Sequence, residues 1–148
     1  MRFSKTTDYA LRVMVALALA NDEKLSLQFL SKRERIPRKF LEHVIRGLKT
    51  AELVKSTPGP KGGYQLMRPA NLISVSHILQ AAQGPLMPLD RLDSATAPLH
   101  LKEPIDRLRQ VVKEIREFAR EKLDSVTLSE LAAVHEINDA RETLMYYI

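Results

Sequence analysis

Residues 36–66 read IPRKFLEHVIRGLKTAELVKSTPGPKGGYQL, and their texture changes once, at Leu53. Before it, Phe40, Leu41, Val44, Ile45 and Leu48 recur at i, i+1, i+4, i+5 and i+8, the spacing of one helix face. Pro37 suits the first position of that helix, where its fixed φ and missing N–H do no harm. After it, Leu53-Val54-Lys55-Ser56 and Tyr64-Gln65-Leu66-Met67 alternate as strands do. Between them, Thr57-Pro58-Gly59-Pro60-Lys61-Gly62-Gly63 is a turn-rich loop. The stretch predicts a helix followed by a β-hairpin.

Upstream, Thr6 or Thr7 is positioned to cap a helix through Ala20 that is apolar on most of its circumference. Asn21-Asp22-Glu23-Lys24 breaks it. Ser26 then caps a short helix to about Arg35, with Leu27 and Leu30 inward and Lys32, Arg33 and Arg35 outward. Two helices across a short turn and then a hairpin are the order of a winged helix-turn-helix. Downstream, Ser74 caps a helix from Val75 to Gln83 that Gly84-Pro85 stops. Four of the eight prolines (Pro85, Pro88, Pro98, Pro104) fall in 85–104, which reads as an irregular connector. From there Leu101, Ile105, Leu108, Val112, Ile115 and Ala119 step 4, 3, 4, 3, 4, a heptad seam widened by Val111 and Phe118. Thr127-Leu128-Ser129-Glu130 matches a capping box for a last short helix to about Val134. The tail, 135–148, shows no usable pattern. The reading is mostly α with a small β-hairpin: a winged helix-turn-helix domain over 1–84, a connector over 85–104, a dimerisation helix and short final helix over 105–134, and a tail.

Composition agrees with that division. The 148 residues are 45% hydrophobic and 28% charged, and a chain of this length buries roughly 68–70% of its unfolded surface. Residues 1–70 carry 14 Lys/Arg against 6 Asp/Glu, while 71–148 carry 9 against 12. A basic half suited to an anionic partner precedes a weakly acidic half with another task. There is no cysteine, which excludes disulfides, thiolate nucleophiles, Cys-based zinc sites and cysteinyl iron–sulfur ligation. Arg2 and Lys5 before an apolar run ending in Ala18-Leu19-Ala20 imitate a signal peptide. Asp8 and Arg12 interrupt that run, however, and it falls short of the ~20 apolar residues of a membrane span. The expected location is the cytoplasm, with no membrane partner.

A helix-turn-helix lays its second helix in the major groove of double-stranded DNA, N-terminal residues towards base edges. Arg38 and Lys39 suit phosphates or guanine acceptors, Glu42 can accept from a cytosine amino group, and His43 can donate or accept. Arg46 and Lys49 extend the face, Phe40 lies among them, and Gln28 of the preceding helix joins the candidate set. Glu42 on a cationic face either selects a base or pairs with Arg46 at i+4. In the loop, Lys61 can reach phosphate or the minor groove, and Gly62-Gly63 allows close approach of a sugar–phosphate chain or simply serves the turn. Pro58 and Tyr64 flank these positions.

The sequence also resembles the Rrf-two (Rrf2) family of bacterial winged-helix repressors. The matching residues are Met1-Arg2-Phe3-Ser4, Asp8-Tyr9-Ala10-Leu11-Arg12, Ile36-Pro37 with Phe40-Leu41-Glu42, Leu48, Leu53-Val54-Lys55-Ser56, Gly59-Pro60, Gly62-Gly63-Tyr64, Leu66 and Arg68-Pro69, with Ser74, Ile78 and Thr127-Leu128. The resemblance spans nearly the whole chain to about Val134. It implies a homodimer joined through the long fifth helix and bound to an inverted-repeat operator, with Glu42 in the place of a base-reading glutamate. Family members that sense iron–sulfur chemistry carry three cysteines in the connector. This chain has none there, and Asp90, Asp93 and His100 make a poor substitute, so no cofactor is expected. Where the family often has an arginine before the wing's Gly-Pro, this chain has Pro58, which leaves minor-groove contact to Lys61.

Two other classes of function fit the sequence less well. A winged helix can serve as a protein-interaction module that has lost DNA binding, but Arg38, Lys39, Lys49, Lys55 and Lys61 all remain cationic. An enzyme lacks support: there is no G-x-S-x-G elbow, no phosphate-binding G-x-x-x-x-G-K-[ST] loop and no H-E-x-x-H, and His43, His77, His100 and His135 are scattered. Three options for an effector stay open: a small molecule in a pocket near the connector, a partner protein, or none.

Overall fold

The structure, a computed structural model, describes residues 3–84 and 95–147. Ser4 caps α1 (Lys5–Leu19), its Oγ accepting from the Thr7 N–H at 3.2 Å. The expected caps, Thr6 and Thr7, lie inside the helix instead. Thr7 is buried and donates its hydroxyl to Gln83 Oε1 at 2.8 Å, a bond that ties α1 to the far end of α4. Ala10, Val13, Met14 and Leu17 line the inner face of α1 at i, i+3, i+4 and i+7, all buried.

Ser26 caps α2 (Leu27–Glu34) as read. The helix ends on Arg35, which takes a left-handed conformation (φ 53°, ψ 42°) and turns the chain so that Ile36 drops into the core. Pro37 is the cap of α3 (Arg38–Thr50) rather than its first helical residue. Leu41, Val44, Ile45 and Leu48 are buried as the spacing required, but Phe40 is 60% exposed. It sits about 100° from Leu41 around the helix, and its ring leans on Tyr9 of α1 at 6.5 Å instead of entering the core.

The hairpin is β1 (Val54–Thr57) and β2 (Gly63–Leu66), antiparallel, with Val54 opposite Leu66 and Thr57 opposite Gly63. Each strand is displaced by one residue from the sequence reading. A third short piece pairs with it: Leu25 and Tyr64 exchange both backbone hydrogen bonds, at 3.0 and 2.9 Å. A 3₁₀ turn, Ala70–Leu72, leads to α4 (Val75–Gln83), whose bounds match the sequence reading. Its cap is reciprocal. Ser74 Oγ accepts from the His77 N–H, and the Ser74 N–H donates to His77 Nδ1 at 3.1 Å, so a histidine fills the usual role of Glu or Gln.

Helix α5 runs from Leu99 to Asp124 and none of its residues is buried. It starts within the stretch read as irregular connector. Pro98 is its cap, and Pro104 removes a single backbone donor near the start of a 26-residue helix without ending it. Its C-terminal end is fastened to the core: Ser74 Oγ donates to Asp124 Oδ1 at 3.1 Å, and Val75 N–H to the Val126 carbonyl at 2.9 Å. The capping box at Thr127 forms as read. The Thr127 N–H and hydroxyl both donate to Glu130, at 2.6 and 2.9 Å, holding its carboxyl below the usual range.

Helix α6 (Leu128–Tyr147) does not stop near Val134 and takes in most of the unplaced tail. Leu128 and Ala132 face the core, whereas Val134, Ile137, Leu144 and Met145 are exposed. The apolar stripe changes sides partway along, which hides the helix from any single periodic template. Among the described residues no helix is long and apolar enough to cross a membrane.

Candidate nucleic-acid interface

The buried stripe of α3 leaves its other side to solvent. Arg38, Lys39, Glu42, His43, Arg46 and Lys49 are all exposed there, and Gln28 is exposed on the neighbouring α2. Lys39, His43 and Arg46 have no side-chain partner among the described residues. Glu42 pairs with Arg38 at 3.1 Å, one turn towards the N-terminus, not with Arg46. These side chains remain 74% and 48% exposed, and an exposed ion pair of this kind contributes only about 0.2–1 kcal/mol. It is weak enough to exchange for contacts with a ligand. At the other end Lys49 Nζ donates to Ser56 Oγ of β1 at 2.8 Å, fixing the wing beside the helix.

Pro58, Gly59, Pro60 and Lys61 form the exposed tip of the wing. Its glycines answer to the fold's own backbone. A Cβ on Gly62 would strike the Thr57 carbonyl oxygen, and one on Gly63 (φ 150°) would lie 2.8 Å from the Leu25 carbonyl oxygen. Tyr64 is half-buried against the core and bonded through its backbone to Leu25. It anchors the wing, while Lys61 is the charged group at the tip. Sequence reasoning missed Leu25, whose pairing with Tyr64 holds the wing's base; an apolar residue just ahead of the Ser26 cap was the available signal.

On α5 the seam is solvent-facing. Leu101, Leu108 and Ile115 are 41–48% exposed, Phe118 is more so, and Ile105, Val112 and Ala119 are half-buried. No group of three or more His, Asp or Glu that could hold a metal occurs among the described residues. His100 is exposed in the first turn of α5, and Asp90 and Asp93 lie outside the described residues. With no cysteine in the chain and the His77 Nδ1 already accepting a hydrogen bond, the donor set does not fit an iron–sulfur cluster.

A basic helix beside a glycine-based wing defines a transcription regulator with a DNA-binding winged-helix fold. Residues 3–134 match the model of the family described as Rrf2, iron-dependent transcriptional regulator, and the chain belongs to that family. It is 31% identical to the HTH-type transcriptional regulator CymR of Bacillus subtilis over the full length of both chains. It is 42% identical to the transcriptional regulator IscR of Cereibacter sphaeroides over 86 residues, 56% of each chain. The solved structure of B. subtilis CymR, described as a global cysteine regulator, superposes with a TM-score of 0.71 at 30% identity, covering 90% of this chain and 98% of the other. IscR of T. potens superposes at 0.67 and 27% identity, covering 99% and 97%. These relatives are transcription regulators and not enzymes.

Proposed function

We propose that the protein is a homodimeric repressor of the cytoplasm that grips an inverted-repeat operator and works without an iron–sulfur cluster. The observation that carries this reading is the α5 seam: a 26-residue helix with no buried residue that nonetheless repeats apolar side chains every three and four positions. Such a seam is built for a second copy of itself. Pairing two copies sets two α3 helices on one side of a duplex, with half-sites about one helical turn apart or a multiple of it. Within each copy Arg38, Lys39, Arg46, Lys49 and Lys61 neutralise backbone phosphates. Glu42 and His43 read bases, with Phe40 and Gln28 at the edges of the contact.

Selection of bound sequences from a random duplex pool, with the mass of the free protein measured in parallel, tests this directly. The expected result is a dimer and a palindromic consensus. A monomer that enriches no sequence overturns the proposal. Reconstitution with iron and sulfide under anaerobic conditions is expected to leave the protein colourless, and a stoichiometric brown species would refute the cluster-free part.

A further inference from the structure

Among the described residues, surface clefts of roughly 370 to 460 Å³ differ in charge. The smallest includes Asp22 and the next Glu34. The cleft of about 460 Å³ is lined by no carboxylate. Thr6 of α1 and Gln80 of α4 face it from one side, and His43, Arg46 and Thr50 of α3 from the other, above a floor that includes Val44. The side chains of His43 and Arg46 have no partner among the described residues, the Thr50 hydroxyl donates to the Arg46 carbonyl at 3.0 Å, and the one acidic residue of α3, Glu42, is taken up by Arg38.

The position of this cleft is as informative as its lining. Lys49 is bonded to Ser56 on the wing's flank of α3. Gly47 packs on α4 at the opposite flank, where a Cβ would come within 3.1 Å of the Ala81 carbonyl oxygen. Wing and cleft therefore stand on either side of the exposed face. A helix in the major groove is flanked by the backbones of both strands. If the wing takes one backbone, the other passes the cleft.

We propose that this cleft is a phosphate subsite: the Arg46 guanidinium, the Thr6 hydroxyl and the Gln80 amide are placed to hold one tetrahedral oxyanion, with His43 at the rim towards the bases. The phosphate is supplied by the DNA strand opposite the wing or by free inorganic phosphate, and the geometry favours the DNA. The proposal rests on α3 being the DNA-contacting helix and adds Thr6 of α1 and Gln80 of α4 to the interface.

The test uses Gln80→Glu, which places a carboxylate across the cleft from an exposed position on α4 well away from the bases. Arg46→Gln serves as a second variant, and thermal unfolding checks that both fold. Binding of duplex is measured against salt. Loss of one phosphate contact should reduce the slope of log affinity on log salt by about 0.9, with the base preferences of a selected pool unchanged. Duplexes carrying one neutral methylphosphonate linkage at successive positions should show a position that costs the wild type affinity and costs Gln80→Glu nothing further. Separately, inorganic phosphate is titrated into DNA-free protein while amide and His43 ring signals are followed by NMR. Saturable shifts at Thr50 and Gln80, absent in Gln80→Glu, support the free ion as the source. Unchanged salt slopes with no phosphate-induced shifts overturn the subsite. If the wild type binds no duplex at all, the DNA reading fails by itself and the phosphate titration alone decides the cleft.

Discussion

Glu42 and Lys39 neighbour each other on α3 but meet different circumstances. The Lys39 side chain has no partner among the described residues, so its full charge is available to a duplex. Glu42 Oε1 accepts from Arg38 Nε at 3.1 Å, which leaves Oε2 to accept from a base and the other guanidinium N–H groups to donate to one. A carboxylate on a cationic face repels phosphate everywhere and attracts only a correctly placed amino group, so it contributes discrimination and not strength. Lys39→Ala is expected to weaken binding to operator and random duplex alike and to shallow the salt dependence by about 0.9. Glu42→Ala should leave random-duplex binding equal or tighter, because Arg38 is released. It should also narrow the preference at one base pair by about 1–3 kcal/mol. Anisotropy titrations of both variants on both duplexes distinguish them, and equal losses for Glu42→Ala would show that it reads no base.

The wing separates shape from charge. Gly62 has no room for a Cβ against the Thr57 carbonyl, so Gly62→Ala must displace backbone, and urea unfolding should register a loss of about 1–3 kcal/mol. Lys61→Ala, at the exposed tip, should leave unfolding unchanged and weaken DNA binding. The start of α6 offers a pH-dependent counterpart. Thr127 donates twice to Glu130 and lowers its carboxyl pKa from the ordinary 4.5. A carboxyl depressed in the folded state stabilises above its unfolded value and loses that contribution as pH falls through the folded one. The stability difference between wild type and Glu130→Gln should thus be constant near neutrality and shrink below about pH 4.5; a difference that does not change with pH would refute the role of charge. These caps also show what a sequence discloses. Ser26, Ser74 and Thr127 were legible because each cap is settled within four residues by its own hydrogen bonds. The long apolar face of α3 was legible because burial repeats with the helix. Phe40, Thr7 and the Leu25–Tyr64 pairing were not, since each is decided by a partner distant in the chain. The extent of α6 was hidden by its change of apolar side at Val134. For the interface, residue types and order were readable, whereas the cleft that joins α1, α3 and α4 exists only once those helices pack.

Two copies of a weak reader make a strong one when their sites are linked. In the proposed complex a single α3 with its wing meets one half-site. If two copies join through α5, as proposed, the second half-site binds as an intramolecular event, and avidity can exceed single-site affinity by 10²–10⁴ without any new contact. That gain depends on a seam which contributes little to the fold of its own chain: Leu108 and Ile115 are 48% and 47% exposed, and α5 is fastened to the core at its far end, through Asp124 and Val126. Leu108→Glu should therefore leave unfolding of the winged-helix domain unaltered while placing a desolvated charge at the centre of a paired seam. The expected result is a monomer by sedimentation at concentrations where the wild type is dimeric. A full operator should bind 10²–10⁴ times more weakly, and a duplex carrying one half-site should bind as before. If Leu108→Glu keeps both its dimer and its operator affinity, α5 does not join the copies. If instead half-site binding falls in step with operator binding, the seam supports the reading head itself, and the separation of dimerisation from recognition fails.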